Sequence, residues 1–230
     1  MLIINIVLVL AISYLLGSIP IGYLVVAIGT GKDVRGFGSG RTGGTNAMRA
    51  AGLFAGLLTA LGDVAKAAAT ALVVQYFTPG NFWMQVVAAL MAIIGHNYPI
   101  FLIRKNDAGK LYLSGGAGGA PCMGGAIALW PPIWIFVLPL SALVFVGIGF
   151  ASVTTMSIAA FSTLIFAYRA WMGWGPWEYV VYGLVAEGLL IWALRPNLIR
   201  LKQGNERPVG LRAYFLQRKE KAAEKNREKV

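Results

Sequence analysis

The 230-residue chain is 57% hydrophobic and only 13% charged, with a mean hydropathy of +0.67; water-soluble domains carry roughly 45–50% apolar and about 25% charged residues, so a single water-soluble core is excluded. Its 20 Lys and Arg against 9 Asp and Glu leave a formal charge of +11, and on so apolar a chain that excess belongs to a membrane surface and not to a nucleic-acid partner. One cysteine, Cys122, allows no internal disulfide, and one histidine, His96, lacks companions for a zinc site, so neither a metal nor a cofactor is expected.

A bilayer core about 30 Å thick takes about 20 helical residues, or about 17 in a short span, and that length divides the chain into seven candidate spans. The first, 2–28, has no basic residue ahead of it and no small-residue cleavage pattern, and reads as a retained span rather than a secretory signal. The connection after it, 31–49, carries Lys32, Arg35, Arg41 and Arg49. A second span over 52–77 leads through the uncharged turn 78–81 to a third over 82–102, and Arg104, Lys105 and Lys110 follow. Spans four to seven are expected over 117–130, 133–150, 152–168 and 177–194, with Pro131 and Pro132 after the fourth. Trp171, Trp174 and Trp177, between the last two, suit an outer aromatic belt. Cytoplasmic connections are rich in Lys and Arg, so the loops after spans one and three share the cytoplasmic side with the eleven cations after 194. The expectation is an all-α integral membrane protein of about seven transmembrane helices, N-terminus outside and C-terminus cytoplasmic. A single embedded domain over 1–207 is followed by a basic tail, 208–230, read as a solvated, topology-setting charge run.

Loops that only join spans need little chemistry, yet 31–49 holds six glycines, four cations and several hydroxyl or amide side chains in 19 residues. Glycines let successive backbone amides converge on one anion, more so where a helix begins. Gly38 and Gly40 supply such backbone; Ser39, Thr42, Thr45 and Asn46 add neutral groups; Arg41 and Arg49 add charge. Phosphate is the anion this mixture suits. A second glycine cluster, 114–125, stands on the same expected face at the start of span four, where its small residues also suit close helix packing. Within the spans, Asp63 and Lys66 are three residues apart on one helical face and can neutralise each other. Glu187 has no nearby cation in sequence and is expected either to face a polar cavity or to titrate above the usual carboxylate range. His96, near the end of span three, is read as a hydrogen-bonded structural residue.

Segments 17–23, 38–46, 62–66, 95–102 and 197–206, beginning Gly-Ser-Ile-Pro, Gly-Ser-Gly-Arg, Gly-Asp-Val-Ala, Gly-His-Asn-Tyr and Asn-Leu-Ile-Arg, together resemble in order and spacing the acyl-phosphate:glycerol-3-phosphate acyltransferase family (PlsY). The resemblance continues through Ser152 and covers the chain to about residue 207. It implies a seven-span inner-membrane enzyme that moves a fatty acyl group from acyl-phosphate to glycerol 3-phosphate, giving lysophosphatidic acid without acyl-CoA, acyl carrier protein or metal. By the same resemblance Ser39 and Arg49 fall on the essential serine and arginine of the first cytoplasmic motif, with Asn46 beside them. Gly115, Gly116, Gly118 and Gly124 fall on the glycine motif associated with glycerol 3-phosphate. Asn197 and Glu206 fall on an asparagine and a structural glutamate.

The sequence departs from the family's pattern at four places. Ala117 stands at the lysine of the second glycine motif, with Gly119 and Pro121 at its valine and threonine; Leu194 replaces a histidine; Gly149 replaces an arginine; Arg41 replaces an asparagine. An apparent insertion, 104–113, brings Lys110, so Lys110 and Arg41 are the two candidates to restore the lost charge. The expected catalysis needs no triad, because an acyl-phosphate is already activated and orientation with electrostatic stabilisation supplies the acceleration. Arg41, Arg49 and the loop amides would hold phosphate, Ser39 would position a reacting oxygen, and Asn197 would orient the acceptor. A different acceptor, or binding and transport of an anionic lipid precursor without catalysis, are the alternative readings.

Overall fold

The computed structural model describes residues 2–105 and 109–227; part of the apparent insertion, 106–108, and the last three residues of the tail lie outside them. The expected first span is two helices, α1 (Leu2–Ser18) and α2 (Ile21–Thr30). Pro20 has no N–H to continue the ladder, and the chain breaks at Ile19 and Pro20. The break frees the Ile19 carbonyl, which accepts from Lys66 Nζ at 2.7 Å. A membrane-embedded carbonyl needs such a partner, since lipid offers none.

A short helical piece precedes the expected start of the second span. Helix α3 runs Gly44–Ala68, but Gly52 sits at φ 89, ψ 176 inside it, a backbone region that is essentially Gly-only. Residue 52, read as the span's start, is the hinge between two helical pieces. The first piece folds onto the second: a Cβ at Gly56 would stand 2.6 Å from Met48 Cβ, and one at Gly44 2.9 Å from the Gly56 carbonyl. Helix α4 (Thr70–Phe77) completes the span. Helix α5 (Phe82–Asn97) starts on Asn81, whose side chain accepts from the Met84 amide at 3.0 Å, and stops before Pro99 rather than continuing to 102.

Two three-residue strands, β1 (Ile103–Lys105) and β2 (Leu111–Leu113), pair antiparallel with Ile103 opposite Leu113. This hairpin in the apparent insertion is the departure from an all-helical chain. Helix α6 (Gly119–Leu129) and, after a turn over Pro131–Ile133, helix α7 (Trp134–Gly147) follow. Then come α8 (Ala151–Trp171), α9 (Glu178–Lys202) and α10 (Gly210–Arg227). Helix α9 passes residue 194, the expected limit of the last span, by two turns. Among the described residues, five helical stretches are long and apolar enough to cross a membrane; α6 and the stretch containing α7 are shorter apolar helices.

Small residues set the helix contacts, as is usual where lipid competes equally for apolar side chains. A Cβ at Gly17 would lie 2.2 Å from the Ala92 carbonyl, and one at Gly95 2.2 Å from the Tyr14 carbonyl, so α1 and α5 touch through backbone. Gly124 brings α6 against α3, with its Cβ position 2.2 Å from the Val64 carbonyl. The core lies between α5, α6, α8 and α9, around Ile93, Met123, Phe166, Tyr182 and Leu190. The Tyr182 hydroxyl donates to the Cys122 carbonyl at 2.6 Å.

Contacts sort the connections into two ends. Phe82 meets Tyr179 edge-to-face at 6.0 Å, and Arg169 lies 3.8 Å over the Trp130 ring, so the turns at 78–81, 130–134 and 171–177 share one end. At the other, the Thr42 amide donates to the Gly115 carbonyl at 3.4 Å, and the Val209 amide to the Gly149 carbonyl at 2.9 Å. The basic connections and both glycine clusters gather there.

Candidate active site

The loop between α2 and α3 is shaped by a few specific groups. Asp33 accepts from the Arg35 backbone and side chain, with an ion pair at 2.6 Å; the hydrogen bonds from Arg35 hold the Asp33 carboxyl below the ordinary carboxylate range. Gly38 and Gly40 have φ of 47 and 71. At Gly38 a Cβ would stand 2.3 Å from Asn46 Oδ1, so glycine is required by conformation and by space. Asn46 is buried and its amide is fully engaged: Oδ1 accepts from the Ser39 amide at 3.2 Å, and Nδ2 donates to the Val34 and Arg41 carbonyls at 2.9 and 2.8 Å. These contacts organise the backbone on which Ser39 and Arg41 stand.

The second glycine cluster docks on the end of α5. The Gly115 and Gly116 amides donate to the Asn97 and His96 carbonyls at 3.1 and 3.0 Å, and a Cβ at Gly116 would stand 1.8 Å from His96 Nε2. The polar third piece joins α8 to α9: Ser152 Oγ donates to Glu206 Oε2 at 2.7 Å, and Asn197 Nδ2 to Glu206 Oε1 at 3.1 Å. Asn197 Oδ1 is buried with no hydrogen-bond partner.

These pieces enclose two cavities. The larger, about 650 Å³, has a polar end with Ser39, Arg41, Arg49, Ser152, Asn197, Arg200, Glu206 and Arg207, and an apolar wall including Leu53, Leu57, Met123, Leu138, Phe145 and Ile158. Gly38, Thr45, Asn46 and Gly118 also line it, as do Ala117 and Leu194, the positions where the resemblance led to a lysine and a histidine. The smaller, about 300 Å³, shares Ser39, Arg41 and Arg200 and adds Asn97, Ser114, Gly115, Gly116, Trp192 and Arg195. Arg41 donates to the Ala193 carbonyl. Burial, and next the neighbouring Arg200, pull the Arg41 guanidinium below its ordinary pKa, against a smaller opposite pull from Tyr98; a guanidinium stays charged at neutral pH nonetheless. Among the described residues no carboxylate lies within ion-pair distance of Arg41, Arg49, Arg200 or Arg207. Four arginines against the nearby Glu206, which attracts Arg49 without pairing with it, leave positive charge around a cavity with an apolar wall, which suits an anionic ligand carrying a hydrocarbon chain.

Several expectations are redistributed. Gly40, Lys110 and Gly124 line neither cavity; Gly124 is the helix contact described above. Lys110 is exposed just before β2. Asp63 and Lys66 form a buried ion pair at 2.8 Å, and His96 Nδ1 lies 3.1 Å from Lys66 Nζ and 3.4 Å from Asp63 Oδ1. Asp63 and His96 border the larger cavity. Glu187, for which a polar cavity was one of two expectations, lines neither. Sequence reasoning passed over Arg200, Arg207 and Asn97. Arg200 is one helical turn from Asn197 and thus on its face, a spacing visible in the sequence; Asn97 sat unremarked in the Gly-His-Asn-Tyr-Pro segment.

Fold and site together define an integral membrane protein with a cavity at one end that is arginine-lined on one side and apolar on the other. The glycerol-3-phosphate acyltransferase family profile matches residues 7–204. Glycerol-3-phosphate acyltransferase 3 of Dehalococcoides mccartyi is 39% identical over 226 residues, covering 91% of this chain and 98% of that one. The glycerol-3-phosphate acyltransferase of Thermus thermophilus is 38% identical over 206 residues, covering 89% and 95%. The crystal structure of the integral membrane glycerol 3-phosphate acyltransferase PlsY in its glycerol 3-phosphate form superposes with a TM-score of 0.76 at 26% identity, covering 91% of this chain and 98% of that one. Its lysophosphatidic acid form gives 0.73 at 27% identity with the same coverage. The chain belongs to the glycerol-3-phosphate acyltransferase family.

Proposed function

We propose that this protein transfers a fatty acyl group from acyl-phosphate to a hydroxyl of glycerol 3-phosphate, releasing lysophosphatidic acid and orthophosphate. The observation that carries the reading is one cavity with two characters: an apolar wall for the chain, and a polar end where Ser39, Arg49 and the unpartnered Asn197 Oδ1 converge. Asn197, fixed through Nδ2 by Glu206, accepts from the attacking hydroxyl and orients it. Arg49 and Arg207 hold the acceptor's phosphate beside Ser152, and Ser39 steadies the carbonyl. Thr45 and Gly118 complete the wall, and Asn46 and Glu206 position the groups that touch substrate. Arg41 is the cation that takes over the charge missing at Ala117, since it borders both cavities and Lys110 borders neither. No protein base is required: an oxygen of the departing phosphate accepts the hydroxyl proton.

The seven-span arrangement in the inner cytoplasmic membrane, N-terminus outside, is part of the same proposal. It is supported by the gathering of Lys32, Arg41 and Arg200 at one end and by the exposed Trp171, Trp174 and Trp177 at the other. The embedded domain is taken to end at 207, and α10 beyond it as a cytoplasmic segment facing lipid headgroups. For the catalytic assignment, purified protein assayed for lysophosphatidic acid should lose at least about 10²-fold in kcat in Ser39→Ala and Asn197→Ala, as when one transition-state donor is removed. Arg49→Ala should act mainly on the KM for glycerol 3-phosphate. Wild-type rates in all three variants contradict the assignment.

A further inference from the structure

The segment beyond Arg207 is tied back to the site by a row of contacts that take no part in acyl transfer. Residues 206–212 and 148–152 lie side by side as an antiparallel clasp. At its inner end Glu206 accepts from Ser152 Oγ at 2.7 Å and from Asn197 Nδ2 at 3.1 Å. Next along it, Pro208 and Phe150 form an isolated β-bridge, and the amide of the buried Val209 donates to the Gly149 carbonyl at 2.9 Å. At its outer end the Arg212 guanidinium lies 4.4 Å over the Phe150 ring, and its Nη1 donates to the Ile148 carbonyl at 3.4 Å, at the C-terminus of α7 where a cation is favourable. Gly149, at φ 72, fits because it has no side chain: a Cβ there would stand 2.6 Å from Arg212 Cβ.

Beyond the clasp, Leu211, Tyr214, Phe215 and Leu216 are exposed in the first two turns of α10, and the exposed Arg218 and Lys219 follow. The start of the helix fixes its level. A Cβ at Gly210 would stand 3.0 Å from the Phe145 carbonyl, beside the exposed apolar Leu143, Val146 and Ile148. The apolar surface that α7 offers to lipid therefore ends where α10 begins, at headgroup depth, where aromatic rings and long cationic side chains both settle. We propose that α10 binds the anionic bilayer surface and that the clasp transmits this attachment to Glu206, so that anionic lipid sets how firmly Asn197 is held. The kinetic part rests on the acyl-transfer reading. Charge complementarity selects the occupant: the helix carries six cations against two acids, and each cation near an anionic surface strengthens attachment roughly fivefold, whereas zwitterionic lipid offers apolar contact alone. With α10 attached, the stretch from Glu206 to Arg212 is held at both ends; with α10 detached, only the inner end is held, and the carboxylate that fixes Asn197 gains freedom.

Hydrogen exchange and turnover of the full-length protein in nanodiscs, made of phosphatidylcholine with or without phosphatidylglycerol, test this. Phosphatidylglycerol should slow exchange of the 211–219 amides about tenfold and, through the clasp, slow that of 150–153 as well. The kcat should rise about threefold over its value in phosphatidylcholine. Arg218→Glu combined with Lys219→Glu, at exposed positions outside the clasp, should abolish all three differences and leave the rate in phosphatidylcholine within about twofold of wild type. Arg212→Gln should keep the slowing at 213–219 and lose it at 150–153 together with the gain in kcat, a split that a tail with no link to the site would not show. Exchange in α10 that ignores phosphatidylglycerol overturns the proposal and leaves that face to a protein partner. Slowed exchange in α10 with none at 150–153, or with an unchanged kcat, overturns the coupling. If no lysophosphatidic acid forms in either lipid, the acyl-transfer reading fails by itself, and exchange at 150–153 still decides the coupling.

Discussion

Lys66 shows how a buried charge can be structural in lipid. Its ammonium has three N–H groups and three neighbours, the Ile19 carbonyl at 2.7 Å, Asp63 at 2.8 Å and His96 Nδ1 at 3.1 Å. One side chain thus closes the break at Pro20, neutralises Asp63 and fixes the His96 ring against Gly116. The sequence disclosed the Asp63–Lys66 pair through its spacing, but not the other two contacts, because both reach across helices distant in the chain. Removing one partner of a buried ion pair costs about 3–5 kcal/mol, whereas replacing both by apolar groups is often neutral. Lys66→Met should therefore lower the thermal unfolding midpoint in detergent sharply, and Asp63→Leu with Lys66→Met should recover much of the loss. Equal destabilisation by the single and double variants would assign the main role to the Ile19 contact instead.

Among the elements, α3 separates what composition reveals from what packing decides. Apolar runs located the helices, but not the helical piece before span two or the extension of span seven, because polar residues carry both into the site. Gly44 to Arg49 form a helical piece that holds Thr45 and Arg49 at the cavity, and α9 runs on to Lys202 to present Asn197 and Arg200. A glycine in an apolar run gives no sign that its φ is positive, so the hinge at Gly52 was invisible. The hairpin of β1 and β2 was hidden by its brevity, since three-residue strands leave too few positions for an alternating pattern. Gly52→Ala forces a side chain into a region that costs about 1–3 kcal/mol, and its strain falls on the piece carrying Arg49. The variant should show a raised KM for glycerol 3-phosphate larger than its loss of stability explains; a wild-type KM would mean that Arg49 is positioned independently of the hinge.

At the scale of the whole molecule, the +11 charge divides between a tail and a site. The segment from Gly210 is helical and carries Arg212, Arg218 and Lys219 beside exposed Leu211, Tyr214 and Phe215, a composition suited to anionic headgroups. The guanidiniums of Arg41, Arg49, Arg200 and Arg207 form the other share, and these line the two cavities. The proposed orientation puts the two shares on the cytoplasmic side: in intact cells a cysteine introduced at Gly80 should react with an impermeant thiol reagent, and one at Lys32 should not. The reverse pattern would invert the topology. The central claim concerns the donor, and it is tested by giving the purified protein in lipid nanodiscs labelled glycerol 3-phosphate with either acyl-phosphate or acyl-CoA. Acyl-phosphate alone should yield lysophosphatidic acid, with one orthophosphate released for each molecule formed. Product from acyl-CoA, or product without matching phosphate, would contradict the account.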